Sequence, residues 1–148
     1  MIEKPSDHDF FEVMKDEHQE LSSVLASVRA EVSAIGRDKK DLEVLTARLR
    51  ELVETHFAHE ERGGFLKEAI DRAPHFVTQA AVLQEEHEEL LEDIEKLRIL
   101  VHSGVESPAW WSRVEADFRS FAARLLHHEH AENKIVQEAF TVDIGTGD

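Results

Sequence analysis

The chain has 148 residues, enough for one domain with a buried core, and its 17 basic against 32 acidic side chains leave a net charge of −15. So acidic a surface repels phosphate backbones and anionic membrane faces, and neither nucleic acid nor a membrane is an expected partner. Cysteine and tyrosine are both absent, which excludes disulfides, thiolate zinc sites, iron–sulfur clusters and tyrosyl-radical chemistry. The opening MIEKPSDHDFF carries no basic-then-apolar signal, and no apolar run reaches the ~18 residues that span a bilayer, so a cytoplasmic, soluble protein is expected.

Glycine and proline fall at Pro5, Gly36, Pro74, Gly104, Pro108, Gly145 and Gly147, with Gly63 and Gly64 the exceptions inside a long segment. The stretches between these breakers each carry an apolar stripe at steps of 3 and 4, the period of an amphipathic helix. A first helix is predicted from a cap at Ser6 or Asp7 to Gly36, with the seam Met14, His18, Leu21, Leu25, Val28, Val32 and Ile35. A second starts near Asp41 and carries Leu42, Leu45, Leu49, Leu52 or Val53, His56 and Glu60. A third begins between Pro74 and Thr78 and runs to about His102 through Phe76, Ala80, Leu83, His87, Leu90, Ile94, Leu97 and Val101. The fourth takes Ser107 as its cap and Pro108 at its first position, then Val114, Phe118, Phe121, Leu125, His128, Glu132, Ile135 and Ala139. The expected fold is all-α: an up-down-up-down antiparallel four-helix bundle forming one domain over 1–148, with its core at about 8–140 and a tail at 141–148.

The sequence also repeats itself. DEHQEL around His18 returns as EEHEEL around His87, and the pair His56 and Glu60 returns as His128 and Glu132. The two halves of the chain therefore predict an internal twofold pseudo-repeat.

Six polar residues stand on the seams where leucine is the norm: His18, His56, Glu60, His87, His128 and Glu132. One turn separates His56 from Glu60 and His128 from Glu132, so each pair shares a helix face. In an antiparallel hairpin, residues equidistant from the loop sit at one level. The midpoints of His18 with His56, His56 with His87, and His87 with His128 fall in the predicted turns at 36–40, 71–74 and 103–108. All six residues are thereby predicted in one layer of the core. Unpaired buried carboxylates are costly, and no lysine or arginine occupies a seam nearby. A pair of divalent cations resolves the problem, with two histidines on each and two glutamates bridging. Nitrogen and oxygen donors with open positions suit iron, manganese or zinc.

At these residues, His18 in KDEHQEL, His56 and Glu60 in HFAHEE, His87 in EEHEEL, and His128 and Glu132 in HEHAEN, the chain resembles the hemerythrin-like, HHE cation-binding family. The resemblance covers Phe10 to Phe140. It implies a non-haem di-iron site, bridged by oxo or hydroxo and carboxylates, with manganese or zinc as possible substitutes. It further implies that the ligand is O2 or a related small diatomic or peroxide, in oxygen binding or sensing. Two other roles come with the family: an iron-homeostasis or regulatory module, and a redox enzyme acting on peroxide or nitric oxide. The respiratory carriers have a fifth histidine in an H-x-x-x-H pair on the third helix. Here Leu83 and Leu91 flank His87, so the chain is closer to the four-histidine, two-glutamate variants.

Other histidines lie near the layer. His59 is a candidate fifth nitrogen donor or a neighbour supporting a ligand, with its repeat counterpart Ala131 weighing against the former. His127 and His130 are expected on the flank, and His8, His75 and His102 on the surface. Glu61 is a further candidate near the layer. Trp110 and Trp111 are expected to plug the far end of the bundle. Phe57, Val53, Phe121 and Leu125 are read as lining a path to the layer, and the glutamates 85, 86, 88, 89 and 92 as solvated surface. Gly63 and Gly64 are expected either to kink the second helix, opening a route to the layer, or to end it early.

Overall fold

The computed structural model describes residues 7–34, 37–63 and 65–145, with side chains over 12–34, 37–63 and 66–139, and five α-helices and one 3-10 turn make up the elements among these described residues. They are α1 (Asp7–Ser33), α2 (Lys39–Gly63), α3 (Phe65–Arg72), the 3-10 turn Pro74–Phe76, α4 (Val77–Ser103) and α5 (Pro108–Gly145). Among the described residues there is no strand, and no helix is long and apolar enough to cross a membrane. The predicted cap Ser6, together with Ile35, Gly36 and Gly64, lies outside the described residues.

The seams fold as their period dictates. Leu21, Leu25, Val28 and Val32 of α1 are buried against Leu42, Leu49 and Val53 of α2, Leu90, Ile94 and Leu97 of α4, and Val114, Phe118 and Leu125 of α5. Each such side chain contributes about 1.5–3 kcal/mol by leaving water, and together they hold the helices in place. Helices α1, α2, α4 and α5 pack as a ring, with α5 returning to α1. At each junction the partners run in opposite order. Between α1 and α2, Glu17 meets His59 at 3.0 Å and Glu20 meets Arg48 at 2.7 Å. Between α2 and α4, Lys39 Nζ donates to the Gly104 carbonyl at 2.6 Å and Arg50 meets Glu95 at 2.6 Å. Between α4 and α5, Glu89 meets Arg124 at 3.0 Å and His87 meets Glu132 at 2.8 Å. The chain is an all-α helical bundle with antiparallel neighbours.

Helix ends follow their caps. Asp38 Oδ1 accepts the Lys40 amide at 2.8 Å, so α2 starts two residues before the expected Asp41. Ser107 Oγ accepts the Trp110 amide at 3.0 Å, as its position before Pro108 predicts. Trp110 and Trp111 are buried at that end of the bundle, where the Trp110 indole N–H donates to the Leu100 carbonyl at 3.0 Å. Arg37 lies 4.3 Å over the Trp111 ring. Gly104 must be glycine, because a Cβ there would lie 1.9 Å from Trp110 Nε1.

Two stretches differ from expectation. The second predicted helix is described to Gly63, one of the two expected outcomes there, but α3 follows as an unpredicted element packed on α5. Its Leu66 and Ala69 join Met14, Phe76, Ala80, Leu83, Ile135 and Ala139 in a second apolar cluster. The expected tail is helical as far as Gly145, where α5 ends. Residues 146–148 lie outside the described residues.

Candidate metal centre

Between the two apolar clusters lies a polar layer. Every buried polar or charged side chain among the described residues belongs to it, except Thr46, whose hydroxyl donates to the Leu42 carbonyl at 2.9 Å. The six residues predicted from the seams meet there, joined by a seventh, Glu129. One donor atom from each of His18, His56, Glu60 and Glu129 lies within 4.8 Å of the others, and the same holds for Glu60, His87, His128 and Glu132.

The two groups share Glu60, and its carboxylate spans them. Oε1 lies 2.5 Å from His56 Nε2 and Oε2 lies 3.2 Å from His87 Nε2. Glu129 serves the first group alone, with Oε2 at 2.7 Å from His18 Nε2 and 3.0 Å from His56 Nε2. Glu132 serves the second alone, with Oε1 at 2.8 Å from His87 Nε2 and 2.6 Å from His128 Nε2. The sequence suggested two spanning glutamates. The geometry gives one, because a single oxygen of Glu132 faces both histidines of its own group.

The internal repeat has a geometric counterpart. The rings of His18 and His56 sit 4.9 Å apart at 68°, and those of His87 and His128 sit 4.9 Å apart at 65°. Glu17 Oε1 faces His56 Nδ1 at 3.5 Å, and Glu86 Oε2 faces His128 Nδ1 at 3.6 Å. Glu86 is therefore not simply a solvated surface residue. The symmetry breaks where Glu60 spans both groups and Glu132 does not, and again at Glu129, whose repeat counterpart Phe57 stacks on His87 with ring centroids 4.1 Å apart.

Hydrogen bonding within the layer is incomplete. His18 Nε2, His56 Nδ1, both ring nitrogens of His128, both oxygens of Glu60 and Glu129 Oε1 are buried without a partner in proper hydrogen-bond geometry. Orphaned acceptors and imidazole nitrogens aimed at one another are expensive in a dry core. Without an ion, protons must reconcile them. Burial works to lower the His56 pKa, but Glu129 and Glu60 outweigh it and carry it up to about 11. His87 is likewise opposed by burial and carried up to about 10 by Glu132 and Glu60. Burial and the neighbouring Glu132 push Glu60 up to about 7. Glu129 stays below the usual carboxylate range despite burial, held there by His18 and His56. This donor set of imidazole nitrogens and carboxylate oxygens, with no thiolate, fits iron, manganese or zinc.

The remaining candidates lie outside both groups. The His59 side chain is 42% exposed, and its Nδ1 lies 3.0 Å from Glu17 Oε2. It is thus no fifth donor in this geometry. His127, His130, His75 and His102 are exposed, while the side chain of His8 lies outside the described residues. Glu61 is exposed but turns Oε1 to within 3.3 Å of His87 Nδ1. Phe57, Val53, Phe121 and Leu125 are buried in the core, and of the four only Phe121 borders an open cleft, one lined otherwise by Asp93, Lys96, Leu97, Asp117, Ser120 and Arg124 and by no donor of the layer. The opening lies elsewhere: a cleft of about 180 Å³ reaches Glu60 and His87 from between α2, α3 and α4.

Glu129 escaped the sequence reading, yet a signal for it exists. It lies four residues after Leu125 and three before Glu132, the same seam spacing as Phe57 between Val53 and Glu60. An inward Phe57 in one half implies an inward residue at 129 in the other.

Comparison with known proteins agrees with this geometry. The family model described as Hemerythrin HHE cation binding domain matches residues 4–140. Neither a curated protein nor a solved structure gives a significant match. With a match over most of its length and a buried histidine–glutamate cluster suited to a cation, the chain belongs to the hemerythrin HHE cation-binding domain family.

Proposed function

We propose that the cluster holds two iron ions and that the loaded site binds O2 or a related small diatomic or peroxide ligand. The observation that carries this reading is the pair of buried donor groups sharing Glu60, with orphaned atoms in both. His18, His56 and Glu129 would hold one ion, His87, His128 and Glu132 the other, and Glu60 would span them. Manganese or zinc suits the same donors. Bound iron supplies two one-electron redox centres with coordination positions left for an external ligand.

The chain's own residues do the rest. Glu61, hydrogen-bonded to His87 Nδ1, orients that ring and raises the basicity of its opposite nitrogen, while Glu17 and Glu86 lie 3.5 and 3.6 Å from Nδ1 of His56 and His128 and act on them through charge. Phe57, Leu90 and Leu125 keep bulk water from the layer on its apolar side. The sequence holds no tyrosine or cysteine for a reactive oxygen ligand to oxidise.

A second reading, in which ion occupancy controls folding and partner binding, is favoured by the position of the layer. It joins α1, α2, α4 and α5, so filling it couples all four helices. The visible spectrum of anaerobically iron(II)-loaded protein, before oxygen, after oxygen and after degassing, separates these readings. A charge-transfer band that appears with O2 and fades on degassing supports reversible binding. A band that persists supports oxygen consumption, and no band with full iron content supports the regulatory reading.

A further inference from the structure

A cleft of about 180 Å³ opens between the C-terminal end of α2, the start of α3 and the facing side of α4. Glu60, Glu61, Leu66, Lys67, Gln84 and His87 line it. Two of these belong to the cluster. Glu60 is 6% exposed, and both its oxygens lack a hydrogen-bond partner of proper geometry. His87 is buried and belongs to the second donor group. Glu60 belongs to both groups, and none of His18, His56, Glu129, His128 and Glu132 borders the cleft, so His87 is the one donor there that belongs to a single group.

Resting on the two-ion reading above, we propose that this cleft is the ligand port of the cluster, that it serves the His87, His128 and Glu132 side alone, and that Lys67 makes it selective for small anions. Lys67 is the one cationic side chain in the lining. Glu61, the exposed acid there, turns its carboxylate onto His87 Nδ1 at 3.3 Å. Two divalent ions among Glu60, Glu129 and Glu132 leave one positive charge in the cluster, and Lys67 balances Glu61 in the lining, so the cleft as a whole draws an anion inward. Gln84 lies one turn before His87 on α4, where its amide borders whatever enters. The other groove near the layer, about 270 Å³ between α1 and α2, is lined by Asp16, Glu17 and Glu20 and by no lysine or arginine. It repels the same ligand.

The test is azide binding to iron(III)-loaded protein, followed by absorption and stopped flow, with iron content measured for every variant. Lys67→Glu is expected to weaken azide at least tenfold with iron retained, and Lys67→Arg to restore it. In the native chain the association rate should fall with added salt, and Lys67→Gln should lose most of that dependence. Gln84→Trp should slow association at least tenfold, whereas Thr55→Trp, which fills the other groove, should not. Unchanged azide binding in both Lys67→Glu and Gln84→Trp overturns the port while the two-ion reading stands. Slowed entry in Thr55→Trp alone moves the port to the α1–α2 groove. A native chain that takes up no iron overturns the two-ion reading and the port together.

Discussion

The half of the bundle closed by Trp110 and Trp111 and the layer around Glu60 sit on the same four helices, yet they are held together differently. In the tryptophan half, Val28, Leu42, Leu49, Ile94 and Phe118 are buried, and Thr46, the one buried polar side chain there among the described residues, is satisfied by its own helix. That half needs nothing from outside. The layer has four histidines and three glutamates at one level, with several buried atoms unpaired. It is complete only with protons or ions. The difference teaches that fold stability and site chemistry are separable along the bundle axis, so perturbing one half should leave the other measurable.

The largest expected effect is ion removal. An ion present at about a thousand times its Kd stabilises the fold by about 4 kcal/mol, so chelation should lower the Tm by on the order of 10 °C. Equal Tm values with and without chelator would place the donors elsewhere. Next come the glutamates. Glu60→Ala, which strips both groups, should bring ion content below one per chain, while Glu129→Ala and Glu132→Ala should each leave about one. Elemental analysis checks this, and two ions retained in Glu129→Ala would remove it from the first group.

Acidity sharpens the contrast further. In the ion-free fold His56 and His87 keep their protons up to about 11 and about 10, against 6.5 for an unperturbed histidine. Their stabilisation of the ion-free fold is therefore fully present below 6.5 and is lost as pH rises toward those values. Ions displace the same protons, so binding tightens as pH rises. The Tm difference between loaded and chelated protein should widen from about pH 6 to about pH 9, and a narrowing difference would contradict the account.

The smallest effects belong to the tryptophan half. Gly104→Ala forces a Cβ into the Trp110 indole and should cost about 1–3 kcal/mol. Ser107→Ala removes a cap and should cost about 1 kcal/mol. Both should lower the Tm equally with and without ions, at unchanged ion content.

Much of this was legible in the sequence, because polar residues on an apolar seam are a strong signal. His18, His56, Glu60, His87, His128 and Glu132 each interrupt a run of inward leucines and valines, and the turn positions put them at one depth. Glu129 was hidden because it follows His128 directly in a run of polar residues, where only comparison with Phe57 reveals its direction. Helix α3 was hidden because eight residues hold barely two turns of periodicity, so Gly63 and Gly64 could be read as a kink or an end. The proposed port takes Leu66 and Lys67 from that helix, and the expected lining of Phe57, Val53, Phe121 and Leu125 lies buried away from it. Glu17 and Glu86 look like their exposed acidic neighbours in sequence, and only the packing of α1 on α2 and of α4 on α5 turns them toward His56 and His128.

The most direct test of the central claim is the iron content of the chain and of Glu129→Ala, after anaerobic loading with iron(II) and desalting. Two irons per chain falling to one in the variant, with the far-ultraviolet helix signal unchanged, is the predicted result. Two irons in both, or none in either, would contradict a pair of donor groups that share Glu60 and are distinguished by Glu129.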